Sequence, residues 1–450
     1  MHKQNRSRRT WSPSLPFLLL VGLLSILWLA GGAARADVLG QAIVRITSWA
    51  TLILCAVFGT MPHRPELRPL VMLMFAAIGL ALLQSIPLPP GIWRMLPGRS
   101  VLEGAASVSN QAASWRPLAI VPDAALNALS SLVVPCAVLL LTMGLQEDER
   151  RWMPGIILGL VVVASIIGLL QLSGAGFDNP FINDTPGQMG GNFANRNHFA
   201  LFLAVGCLIA PVWAFSGNVR RAAWRFPVAI ALVVLFSLTI LASGSRGGAL
   251  VGLLSLPVAM LLAKQGIQHE FRRAPRWLFP AIAAAIFAII AIFVLFSVAA
   301  DRAISIDRLF LVDQGQDMRT RGLPVVLSMI GTYFPVGSGF GGFDPIFRMH
   351  EPTDLLKLTY FNHAHNDFIE VALDGGLMGI ALLLSAIGWW LVASLRAWRA
   401  GKATARLGSA ILLLVLIASA FDYPARTPMM MAMIILAAVW LTESRQGSAR

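Results

Sequence analysis

Charge is scarce in this chain. Of its 450 residues, 13% are Asp, Glu, Lys or Arg and 57% are hydrophobic. Ordinary soluble domains carry about 25% charged residues, so that class is excluded. Cysteine is scarce too. Cys55, Cys136 and Cys207 each lie in an apolar run, which leaves no disulfide framework and no thiolate metal site. There is no internal repeat, and Arg45 is almost alone as an ionisable residue inside a run, where a polytopic transporter would show several. Nothing interleaves basic with aromatic residues as a nucleic-acid groove requires. The run Gly337-Ser338-Gly339-Phe340-Gly341-Gly342 lacks the Lys-Ser/Thr of a nucleotide loop and reads as a flexible turn.

What the chain has in abundance is apolar sequence. Twelve runs have the composition of bilayer spans: 15–34, 38–60, 69–86, 124–145, 153–173, 198–216, 226–243, 247–263, 277–299, 368–395, 407–421 and 428–442. Backbone polar groups in hydrocarbon must be paired internally, so these runs are expected as helices and the fold as an all-α integral membrane protein. The first run follows Arg6, Arg8 and Arg9 and ends at Ala34-Arg35-Ala36, so it reads as a span or as a signal peptide. With a cytoplasmic N-terminus, the connections 1–14, 61–68, 146–152, 217–225, 264–276, 396–406 and 443–450 face inside. They hold 21 of the 35 Lys and Arg residues, which makes the basic excess a topology signal.

Four unusual segments then fall on the outer side. Residues 87–123 open with Pro87-Leu88-Pro89-Pro90-Gly91-Ile92-Trp93, which suggests either a loop at the membrane interface, where Trp anchors, or a structural segment only, the favoured reading. Residues 174–197 end with Asn195, Arg196 and Asn197, which suit a helix cap or a binding element. Ser243-Gly244-Ser245-Arg246-Gly247-Gly248 is wedged between two spans. Arg246 is either an interfacial anchor or an anion ligand beside a helix N-terminus. Residues 300–365 are too long for a plain connection and contain Arg319 and Arg321.

That last segment ends at Asn362-His363-Ala364-His365-Asn366-Asp367-Phe368-Ile369-Glu370. At helical spacing His365, Ile369 and Leu373 share a face, with Glu370 near the face of Asp367 and Asp374. His365 therefore either caps the helix or acts as a base at the mouth of a span. His363 and His365 flank one residue and hint at a metal, but no second ligand cluster accompanies them. Ser243 or Ser245 with His365 would make an intramembrane serine protease, although that nucleophile would sit at the surface beside Arg246.

Arginines and a histidine outside the membrane suit a lipid-linked diphosphate. Arg offers phosphate a charged fork of donors. Each contact gains about 4 kcal/mol gross at about 4 Å and an effective dielectric of about 20. A neutral imidazole can take a proton from a sugar hydroxyl.

At these residues the chain resembles the O-antigen ligase and O-antigen polymerase superfamily of bacterial envelope glycosyltransferases. The landmarks, in order, are Gly191-x-Phe193-x-Asn195-x-Asn197, Ser245-Arg246-Gly247, a loop arginine, Pro335-x-Gly337-x-Gly339 and His365-Asn366-Asp367. They cover about 190–395; elsewhere the likeness is one of hydropathy. The aromatic that usually stands four residues after the loop arginine is Leu323 after Arg319, which keeps Arg321 as its alternative.

The resemblance implies a metal-independent, inverting transfer that needs no cofactor. A glycan leaves undecaprenyl diphosphate for an acceptor glycan or glycolipid at the periplasmic face of the inner membrane. The implied fold is a bundle of the C type of glycosyltransferase, with about twelve spans and a large periplasmic loop. Arg246 and Arg319 would hold the diphosphate, and His365 would activate the acceptor. Asp367 and Glu370 would fix the His365 imidazole, and Asn195, Arg196, Asn197, Arg321 and His363 would line the substrate. The expected organisation is a basic cytoplasmic N-terminus (1–14), N-terminal spans (15–190), a catalytic membrane region (191–442, with the loop 300–365) and a cytoplasmic tail (443–450). Membrane lipids, a flippase and a chain-length protein are the expected partners, and nucleic acid is not. No single motif separates a polymerase from a ligase acting on lipid A-core. The proline-rich 87–123 segment and the lack of a soluble C-terminal repeat domain look more like exopolysaccharide polymerases than protein-glycosylating relatives. The reading leans to polymerase, with the ligase as its alternative.

Overall fold

The computed structural model describes residues 12–59, 64–175, 177–183, 188–216, 219–271, 314–356 and 361–443, with a few isolated positions between 271 and 314. The expected span 277–299, the loop up to residue 313 and most of both expected cytoplasmic termini lie outside the described residues.

Where apolar sequence is described it is helical. The helices of the first half are α1 (Leu15–Ala30), α2 (Leu39–Phe58), α3 (Arg68–Ser85), α4 (Pro90–Arg94), α5 (Ser100–Val108), α6 (Pro122–Ser131), α7 (Val133–Gly144) and α8 (Glu147–Leu172). Those of the second half are α9 (Arg196–Phe215), α10 (Val219–Ala242), α11 (Arg246–Phe271), α12 (Gln314–Tyr333), α13 (Phe343–His350), α14 (Asp367–Ala400), α15 (Ala403–Ser419) and α16 (Pro428–Thr442). Among the described residues the only strands are β1 (Pro87–Leu88) and β2 (Arg116–Pro117), paired antiparallel with Pro87 opposite Pro117. Among the described residues eight helical segments are long and apolar enough to cross a membrane, and α1, α15 and α16 are shorter apolar helices. Together they account for every expected run except 277–299. The chain is a multi-pass membrane protein.

Helix α9 is apolar on all sides, and such a helix belongs inside a bundle. Its spanning window is 83% buried, against 11% for α14, which faces outward. Helices α8, α10, α11 and α15 surround it. Lipid is as apolar as the side chains, so close packing rather than water exclusion holds such helices together. Gly206 serves that packing, because a Cβ there would stand 2.6 Å from Val161 and 2.8 Å from Phe236.

Helix α14 is interrupted. Gly376 has φ 56° and ψ −144°, a conformation open to glycine alone. The break frees the carbonyls of Leu373 and Asp374 for other partners. Ser338 N donates to Leu373 O at 2.9 Å and Gly339 N to Asp374 O at 3.0 Å, while Leu377 N donates to Pro335 O at 2.8 Å. Gln84 Nε2 also donates to Asp374 O, at 2.9 Å. The 337–342 run is therefore a fixed buttress of α14, and the expectation of a flexible turn is corrected.

One further expectation changes. The 300–365 segment holds α12 and α13, whose Val326, Met329, Tyr333, Phe343 and Phe347 form a second core with Leu373. Most of the 87–123 segment is exposed, including Met95, Val101, Val108 and Trp115, but Trp93 is not. Its Nε1 donates to Pro117 O at 3.1 Å, so it does not anchor at a bilayer surface. Arg99 is buried beside it, between the rings of Trp93 and Tyr333 at 5.8 and 5.9 Å.

Candidate active site

Helices α9, α11 and α14 start at one end of the bundle, where α15 stops and α16 starts. The turn between α15 and α16, Phe421-Asp422-Tyr423-Pro424-Ala425-Arg426, ties these ends together. Asp422 is its centre, with 1% of its surface exposed. Asn195 Nδ2 donates to its Oδ2 at 3.1 Å, and Asn197 Nδ2 donates to the same oxygen. Tyr423 N donates to Oδ1 at 2.9 Å.

Asn195 has a second role as the cap of α9, accepting from Asn197 N at 2.8 Å. Both readings of that residue hold at once. Asn197 accepts from Ser245 Oγ at 2.5 Å, and Ser245 Oγ caps α11 by accepting from Gly248 N at 2.8 Å. A chain of hydrogen bonds thus links the turn beside Arg246 to Asp422. Gly247 and Gly248 make this approach possible: a Cβ would stand 2.4 Å from Phe421 at the first and 2.2 Å from Ala200 at the second. Arg246 is the first residue of α11 and lies exposed. The Arg196 guanidinium reaches toward Gly244. Ser243 and Ser245 are both committed to hydrogen bonds that exclude His365, which removes the support for a serine protease.

His365 lies outside α14. Asn366 is the cap, accepting from Phe368 N at 3.0 Å and Ile369 N at 3.1 Å. The expected helical face shared by His365, Ile369 and Leu373 is corrected accordingly. His365 has φ 50°, the left-handed conformation, and this turns its ring away from the helix. Its Nδ1 lies 3.5 Å from Asp422 Oδ1, and its side chain keeps 15% exposure. Its ring also packs near Phe361 and Tyr423, at 5.4 and 5.1 Å.

The expected pairing of His365 with Asp367 and Glu370 is not what forms. Glu370 takes His363 instead, Nδ1 to Oε1 at 2.9 Å, and accepts from Ala364 N at 2.9 Å. Asp367 accepts from Ser419 Oγ at 2.8 Å. Arg426 then gathers Asp367, Glu370 and Asp374 at 3.4, 3.2 and 3.8 Å.

Burial pushes the His365 imidazole below its ordinary 6.5; Asp422 opposes this, and the charges of Arg319 and His363 add to it. His365 is therefore neutral at pH 7. Burial would raise Asp422, but His198 and His365 beside it hold it well below the usual carboxylate range. Tyr423 is pushed up to about 12 by burial and by the Asp422 charge, so its phenol stays protonated.

The two loop arginines differ. Arg319 reaches the ring cluster with its charge, acting on both His365 and Tyr423. Arg321 pairs with Asp354 at the surface. Sequence reasoning passed over Asp422, Tyr423, Arg426 and His198; the one available signal was a short polar turn holding two charges between two apolar runs.

Residues 230–384 match the Wzy_C family model, O-Antigen ligase. That stretch is similar to the O-antigen ligase family. It is about a third of the chain and contains Arg246, Arg319, Arg321, His363, His365, Asp367 and Glu370. The O-antigen ligase family is one of envelope-glycan membrane enzymes of the glycosyltransferase type. No curated protein matches the chain.

Behind the cluster lies an apolar groove of about 520 Å³ between α3, α6, α7, α14, α15 and α16. Its polar end is formed by Asp367, Ser419 and Arg426. The lining includes neither His365 nor Arg319, so the groove adjoins the cluster rather than containing it.

Proposed function

We propose that this chain is an inverting glycosyltransferase that moves a glycan from undecaprenyl diphosphate onto an acceptor hydroxyl at the periplasmic face of the inner membrane. We favour the polymerase form, with a second lipid-linked repeat unit as acceptor, on the proline-rich 87–123 segment. The observation that supports the reading best is the setting of His365: Nδ1 faces Asp422 at 3.5 Å, the other ring nitrogen is left for a substrate, and the ring is neutral at pH 7.

In the step, His365 Nε2 takes the acceptor's hydroxyl proton as the acceptor oxygen bonds to the anomeric carbon. The bond from that carbon to phosphate oxygen breaks on the opposite face, and undecaprenyl diphosphate leaves with the electron pair. Arg246 and Arg319 offset the charge that grows on the departing oxygen, aided by the converging helix N-termini. Asn195, Arg196, Asn197 and His363 line the approach, with Arg321 at its rim. The apolar groove suits the hydrocarbon chain of a lipid-linked substrate. The C-type bundle, the segment boundaries, the flippase and the chain-length partner remain part of this proposal.

The test is transfer by the purified chain from a defined undecaprenyl-diphosphate oligosaccharide. Elongation on a second lipid-linked unit is the expected result. Transfer to lipid A-core alone would make the enzyme a ligase, and no transfer to either acceptor would overturn the proposal.

A further inference from the structure

We propose that His198 is a positioning residue that shares Asp422 with His365 and thereby sets the pH range in which His365 works as a base. This rests on the reading of His365 as the acceptor-side base.

His198 sits in the first turn of α9, with 1% of its surface exposed. Its Nε2 lies 3.7 Å from Asp422 Oδ1, the same oxygen that His365 Nδ1 faces at 3.5 Å. Neither ring nitrogen of His198 has a hydrogen-bond partner within normal reach. An imidazole buried without partners costs free energy that a leucine or phenylalanine would not. The compensation available here is the Asp422 charge. Its ring also meets that of Tyr423 edge-on at 5.2 Å, which fixes its plane.

One carboxylate oxygen between two imidazoles divides its attraction. Tyr423 N and Asn195 Nδ2 also reach Oδ1, at 2.9 and 3.3 Å, so little of its capacity is spare. A proton on His198 Nε2 directed at Asp422 draws charge away from the His365 N–H and makes His365 a weaker base. Among the described residues, the other charged or titratable groups that act on His365 or sit beside the trio include Arg319 from α12, His363 from the segment before α14 and Tyr423 from the α15–α16 turn. Both Arg319 and His363 push His365 toward neutrality, as sharing of Asp422 does. When a proton reaches His365 during transfer, Asp422 turns its full attraction to the new imidazolium, and His198 yields.

The experiment is the pH dependence of transfer by the purified full chain. With His198→Phe, Asp422 is left to His365 alone, and the acid limb of the profile should move up by roughly half a unit to one unit. His198→Gln, whose amide can still donate to Asp422, should leave the limb near the wild-type position. A slower His198→Phe enzyme with an unmoved limb would make His198 a packing residue and overturn the inference. A second measurement does not depend on the Phe variant. In the 15N-histidine-labelled wild type, the His198 ring signal, identified by its loss in His198→Gln, should shift at the midpoint of His365. A His198 signal that ignores that midpoint also overturns the inference. An inactive wild type would instead sink the glycosyltransferase reading, since the ring signals are read without turnover.

Discussion

His363 and His365 turn their rings to different carboxylates. The first meets Glu370 at 2.9 Å and the second faces Asp422 at 3.5 Å. The positive φ of His365 separates them, since an extended or helical residue there would send its ring elsewhere. The two histidines are therefore not interchangeable. His365→Ala should cut transfer by on the order of 10²–10⁴-fold, the usual worth of a general base. His363→Ala should be the milder change. Undecaprenyl-linked glycan measured in cells should accumulate in the first variant; normal polymer yield there would remove His365 from the mechanism.

Asp422→Asn acts on the same ring from the other side. Asp422 raises the His365 pKa against burial and Arg319. With that charge gone, His365 stays neutral to lower pH, so the acid limb should move down. The plateau should fall as well, by roughly 10²-fold or more, because the imidazolium formed during transfer loses its counter-charge. A pH–rate profile reads both effects.

Arg319→Ala should abolish transfer while Arg321→Ala keeps most of it. Arg321 is spent on an exposed pair with Asp354, of a kind worth about 0–1 kcal/mol. Arg246→Ala should behave like Arg319→Ala, and Lys at either position should restore only part, since the bidentate fork is lost. Initial rates on a defined donor, with membrane insertion checked in parallel, separate these outcomes. A dead Arg321→Ala beside an active Arg319→Ala would reverse the assignment.

Arg426 is a different kind of cation. Removing it leaves Asp367, Glu370 and Asp374 buried together, and breaking a buried pair costs about 3–5 kcal/mol. Arg426→Ala should lower the thermal unfolding temperature in detergent and reduce the amount recovered from membranes. Stability equal to wild type would mean that water or protons already screen the carboxylates.

The spans, the Ser245-Arg246-Gly247 turn and the polar start of α14 were legible because each is a local pattern: an apolar run, a small-residue turn, a polar end to a helix. Even the cap is within reach of the sequence, since an Asn just before an apolar-periodic stretch is a start signal, and it places His365 two residues ahead of the helix. What was not legible is pairing. Glu370 and Asp367 lie nearest His365 along the chain, and Asp422 lies beyond a whole further helix. Only the return of α15 to the same end of the bundle brings Asp422 and Arg426 into place, and no spacing rule encodes that return. His198 was hidden for a related reason, because a lone histidine at a helix start looks the same whether or not a carboxylate stands opposite.

The break at Gly376 also sets a depth. Beyond it, residues 377–395 carry no charge. At about 1.5 Å per residue that stretch is roughly 28 Å long, close to the hydrocarbon thickness of about 30 Å. With that stretch laid across the hydrocarbon, the piece of α14 before the break would span about the next 14 Å, at the level of the headgroups. Asp367, Glu370 and Asp374 would then be spared the hydrocarbon that makes such a cluster prohibitive. A donor embedded by its tail would meet His365 with its diphosphate at its natural height, lifted by nothing, while an acceptor arrives sideways or from the water above.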